Sequence, residues 1–131
     1  MIYIKKQKPD KEVLDKIAEI KNSLEWKQSR DSDTKSIRQC FDKLPKEQIR
    51  KNLLQEQHYL CAYCMKRIDD NPLYTTIEHW LPLSKNKDRA LDYSNMVGCV
   101  KVAHLSVYQQ MIRENYVVMH IKVMKKLQLV L

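Results

Sequence analysis

LCAYCMKRIDDNPLYTTIEHWLP, residues 60–82, is the segment on which the fold turns. It opens on Cys61-Ala62-Tyr63-Cys64 and closes on Glu78-His79-Trp80-Leu81-Pro82. Between these lie Met65 to Ile68, a turn-forming Asp69-Asp70-Asn71-Pro72, and Leu73 to Trp80. Aromatic and β-branched residues on both sides of such a turn predict a hairpin with those two runs as its arms. The C-x-x-C step places two thiolates on one tight turn, which suits tetrahedral zinc. A redox pair or two buried thiols would read the same.

Working outward, the upstream half reads as helical scaffold. Asp10 can cap a helix with Val13, Ile17, Ile20 and Leu24 on one stripe. Ile37, Cys40, Phe41 and Leu44 repeat that spacing, and Cys40 there reads as a buried thiol. Pro45 then opens another helix, with Ile49 and Leu53 facing inward. The stretch from Asn22 to Ser36 is polar and charged. It reads as a solvated connection, or as a phosphate-facing surface through Lys27, Arg30 and Lys35. Downstream, Leu81 to Arg89 predicts an exposed loop, and Leu91 to Met96 the entry to a short helix.

At 131 residues the chain supports one compact domain with a modest core. Its formal charge of +8 favours a polyanionic partner through counterion release and steering, although solubility alone would be served equally. Met1 to Lys8 lacks the apolar stretch of a secretory signal, and no uncharged run reaches membrane-spanning length. The expected compartment is therefore the cytoplasm, with no membrane partner. In that reducing setting the cysteines point to metal binding or redox chemistry before disulfides.

The order of motifs carries more information than any one of them: Cys61-x-x-Cys64, then Glu78-His79-x-x-Pro82, then Leu91-x-Tyr93-x-Asn95-Met96. In this order the chain resembles the HNH endonucleases of the ββα-metal, or His-Me finger, class. It is most similar to the branch with a C-A-Y-C knuckle found in nuclease subunits of Septu-type and retron-associated anti-phage defence systems. The resemblance runs from about Leu54 to Met96, with a weaker likeness over Met1 to Lys8.

The resemblance implies an α+β domain, N-terminal helices packed around a ββα-metal hairpin with a zinc knuckle. Residues 1–53 would form the helical region, 54–104 the nuclease core and 105–131 an atypical tail. It implies metal-dependent cleavage of DNA, expected to be double-stranded, beside an ATPase partner. His79 matches the general base, Glu78 the carboxylate for a catalytic magnesium or manganese ion, and Asn95 the residue that orients the histidine loop. Cys61, Cys64 and Cys99 match structural zinc ligands. His104, nine residues after Asn95, matches either the last HNH member at the catalytic ion or a fourth zinc ligand. Lys85, Lys87 and Arg89 would grip the phosphate backbone, unless they only solvate the loop. Two rivals stay open: a noncatalytic zinc-knuckle module for nucleic acid or an ATPase, and a truncated, inactive nuclease.

One departure stands out. The family adds a second cysteine pair after the asparagine, and only Cys99 is present. Residues 100–131 instead hold seven of the nine valines and no glycine, proline or aspartate. Either the tail is a divergent helical or strand-forming segment, or a change of reading frame near Gly98 accounts for both features. Joining the third base of each codon to the first two of the next allows a stop-free string containing additional cysteines and a C-D-x-x-K segment. The single Met codon fixes three of its residues, from Met111, Met119 and Met124. On this reading His104 meets the HNH spacing by accident. The coding DNA checks it: codons compatible with that string are expected, and incompatible ones would remove the idea.

Overall fold

The apolar stripes of the first half fold into helices because each stripe finds a shared core. The computed structural model of the chain describes residues 3–101 and Glu114. His104 and the frame-shift reading of the tail therefore lie outside the described residues. Helix α1 spans Lys11–Lys21, α2 Leu24–Ser29, α3 Thr34–Asp42 and α4 Lys46–Glu56. Strands β1, Thr75–His79, and β2, Met96–Val100, form an antiparallel pair running from Thr75 opposite Val100 to His79 opposite Met96. The chain is an α+β protein. No helix among the described residues is long and apolar enough to cross a membrane.

Five local expectations differ from what forms. The arms flanking Asp69–Pro72 do not pair as a hairpin. β1 takes β2 as its partner, and the earlier arm makes only an isolated bridge, Leu60 with Arg67. The Asn22–Ser36 connection contains α2, capped by Ser23, whose Oγ accepts the Trp26 N–H at 3.2 Å. Trp26, buried in the core, holds that short helix down, while Leu24 is 69% exposed and leaves the α1 stripe. The segment entered at Leu91 forms a 3-10 turn over Tyr93–Asn95 and then β2, not a helix. Asp10 precedes α1 but makes no side-chain cap. Its carboxylate instead accepts from Asn52 Nδ2 at 3.0 Å and from Gln48, tying the start of α1 to α4.

Two hydrophobic clusters sandwich β2. The first gathers Val13, Ile17, Trp26, Ile37, Phe41, Ile49 and Leu53 from the helices with Leu91 and Met96. The second gathers Leu54, Cys61, Ala62, Tyr63, Ile68, Val97, Cys99 and Val100. Burying a side chain such as Leu53 contributes about 1.5–3 kcal/mol, so these clusters carry the fold. Because cores lie on both sides, all five β2 residues are buried, and the strand shows none of the alternation that marks a half-exposed one.

The outer edge of β2 is closed by a side chain. Gln57, 1% exposed, accepts the Gly98 N–H at 2.7 Å and donates through Nε2 to Gly98 O at 2.8 Å and Leu60 O at 2.9 Å. The Ala62 N–H also donates to Gly98 O, at 3.1 Å, so the knuckle hangs on the same edge. A carboxamide thus supplies what another strand would, and the edge is not left as an open template. α4 is stopped just beyond by His58 and Tyr59 in left-handed backbone conformation, and Arg50 Nε bonds Asp70 at 2.7 Å to fix the following turn. Gln57→Ala would orphan a buried N–H. It is expected to lower the unfolding free energy by about 2–3 kcal/mol in denaturant titration, and an unchanged midpoint would contradict this role.

Candidate functional site

Glu78 and His79, the last two residues of β1, line a single cavity of about 550 Å³ that runs along the strand, since Thr76 and Ile77 line it as well. Its other walls are Thr34, Arg38, Phe41 and Asp42 of α3, Lys46 of α4, and the loop Pro82–Ser84.

The His79 ring is fixed from two directions. Nε2 lies 2.9 Å from the Ala90 carbonyl oxygen. A carbonyl can only accept, so Nε2 carries the proton and Nδ1 is the basic nitrogen of the neutral ring. The Phe41 ring packs against the imidazole at 4.7 Å between centroids. Burial pushes the His79 pKa below its usual 6.5; the bond to Ala90 works the other way, and the charges of Arg38 and Lys46 add to the lowering. The ring is therefore neutral at pH 7, the state a proton acceptor needs.

Asn95 shapes the loop between the strands. Its carboxamide, 1% exposed, accepts the Leu81 N–H at 2.7 Å and donates to Arg89 O at 3.3 Å. The backbone adds Trp80 N–H to Asn95 O at 2.8 Å. One buried side chain thereby links the residues just after His79 to the stretch that presents Ala90, the partner of His79. Both side-chain contacts run to backbone, one at each end of the loop segment 81–89.

The cysteines are partly gathered. The Cys61 thiol is lowered from 9.0 to about 5, first by a hydrogen bond with Cys99, against the cost of burial, and further by the N–H groups of Cys64, Val100 and Tyr63. Backbone N–H groups aimed at the first sulfur of a C-x-x-C turn favour the thiolate, the form that binds metal. Met65, with φ 62°, completes the tight turn and donates its N–H to Cys61 O at 3.1 Å. Even so, among the described residues no three His, Cys, Asp or Glu side chains are close enough together to hold a metal ion. The described residues therefore do not assemble a zinc shell. Cys40 is buried beside Ser29 Oγ at 3.6 Å, apart from this group, as its helical stripe predicts.

The three basic loop residues do not line the cavity. Lys87 donates to Ser32 O at 2.5 Å, and Arg89 pairs with Asp92 at 3.7 Å. Lys85 lies exposed on the same loop. The cations that do face the centre are Arg38 and Lys46, which the sequence reading missed. Both come from helices distant in sequence from His79, and nothing in their local sequence marked them. Comparison with known proteins returned no matching family model, no matching curated protein and no matching solved structure.

The depressed His79 pKa has a definite sign. Its contribution to stability is present above the unfolded value of about 6.5 and is lost as pH falls through the folded value. An NMR titration of the imidazole is expected to show a midpoint below 6.5, with the proton on Nε2 in the neutral form. A midpoint at or above 6.5, or an Nδ1–H tautomer, would contradict the geometry.

Proposed function

We propose that this chain is an HNH endonuclease that hydrolyses phosphodiester bonds of double-stranded DNA. The observation that carries the reading is the His79 ring: neutral, held through Nε2 by the Ala90 carbonyl, and sharing a polar cavity with Glu78. A pure binding module has no use for a base held in one tautomer beside a carboxylate, which is why the noncatalytic zinc-knuckle alternative is weaker. The resemblance in motif order adds the finer terms: a ββα-metal core and a place as the nuclease component of an anti-phage defence system beside an ATPase subunit.

In this mechanism His79 Nδ1 takes a proton from water. The water oxygen bonds to phosphorus while the bond from phosphorus to the leaving oxygen breaks. Phe41 and Ala90 keep the imidazole from turning, and Asn95 keeps the loop that carries Ala90 in register with β1. Glu78, with His104 as a second ligand if the family pattern extends that far, would hold magnesium or manganese. Such an ion supplies positive charge for the phosphate oxygens and the leaving group. The resemblance implies zinc at Cys61, Cys64 and Cys99, but the described residues do not bring three such donors together, and no step of the mechanism depends on it. Lys85, Lys87 and Arg89 would meet flanking phosphates on the rim.

His79→Ala is expected to lower single-turnover cleavage of duplex DNA by about 10² to 10⁴, while DNA binding measured in EDTA stays close to that of the parent. Equal cleavage rates for the two proteins would overturn the assignment of the base. Loss of binding together with cleavage would mean that His79 acts on the fold.

A further inference from the structure

We propose that Arg38 is the phosphate-binding residue of the His79 cavity, supported by Lys46, and that its ligand is a phosphodiester of a nucleic-acid backbone. The proposal rests on the nuclease reading of this cavity and names the group that would hold the substrate within it. Thr34, Arg38, Phe41 and Asp42 all line the cavity, and their spacing puts them on one face of α3. Phe41 touches the imidazole, so Arg38 stands about one turn away on the same face.

The charges around Arg38 are unequal. Lys46 is paired with Asp42 and lies over the Phe41 ring at 4.6 Å. Glu78 is the carboxylate assigned to the metal ion. Arg38 is exposed and, among the described residues, takes part in no ion pair. By contrast Lys87 and Arg89 are occupied with partners in the protein. Two carboxylates, Asp42 and Glu78, line the same cavity, but Asp42 is held by Lys46, and the Arg38 guanidinium, outside these ion pairs, is available to an anionic ligand entering the cavity. The planar guanidinium can donate two parallel bonds to phosphate oxygens, which fixes the ligand's orientation as well as attracting it. Because Arg38 and His79 line one cavity, a phosphate held by the guanidinium would lie in the cavity that the imidazole lines.

The test is binding of a short labelled DNA duplex to the full chain in EDTA, followed by anisotropy over a range of salt concentrations. Arg38→Gln is expected to weaken binding and to make the slope of log affinity against log salt shallower by about one phosphate contact. Arg38→Lys should restore most of the slope but not the full affinity. Lys11→Gln removes the same charge from a helix lining a different cavity and should leave the slope near the parent's. If Arg38→Gln matches the parent or Lys11→Gln, or if the parent binds no duplex, the proposal is overturned. If binding depends on Arg38 as described but the parent fails to cut in magnesium or manganese, the phosphate site stands and the nuclease reading falls.

Discussion

The candidate site depends first on the buried carboxamide of Asn95. Strands β1 and β2 are separated in sequence by the loop 80–95, which contains two 3-10 turns and no strand of its own. A loop of that kind has no ladder to hold it, so its shape must come from side chains or from packing. Asn95 accepts from Leu81 on one side and donates to Arg89 on the other. Fixing those points places Ala90 where its carbonyl meets His79. The tautomer of the proposed base thus follows from a contact made by a residue that does not itself line the cavity.

A second carboxamide does comparable work at the back of the sheet. Gln57 occupies the hydrogen-bonding groups of Gly98 and joins α4 to β2, while Ala62 brings the cysteine knuckle onto the same edge. Lys6 ties the N-terminal segment to this region through its ion pair with Glu56 and a bond to Met96 O at 2.8 Å, with its ammonium 4.2 Å from the Tyr93 ring centre. The start of β2 is thereby tied to the N-terminal segment, and its middle to α4 and to the turn that starts at Cys61.

The amphipathic part of the fold was legible in the sequence. α1, α3 and α4 follow from the spacing of Val13 and Ile17, of Ile37 and Phe41, and of Ile49 and Leu53, because a stripe at helical period needs only one core to satisfy it. The short α2 was not, since a single buried Trp26 makes no stripe; the Ser23 cap was the available signal. The partner of β1 was missed because β2 is buried on both faces and contains the chain's only glycine, so it lacks both alternation and a nearby turn. Glu78, His79 and Asn95 stood out in the sequence only through the order of the segments that hold them; the structure sets Glu78 and His79 on one cavity and Asn95 in the loop beside it. Arg38 and Lys46 did not stand out, because a cation on a helix looks like any other until the fold sets it in the cavity of a histidine.

The claim that this cavity is a metal-dependent phosphodiesterase centre is tested most directly by incubating purified chain with supercoiled plasmid in magnesium, in manganese and in EDTA. The account expects nicked and linear DNA with either metal and intact plasmid in EDTA. Intact plasmid in all three conditions, or equal cutting with EDTA, would contradict it.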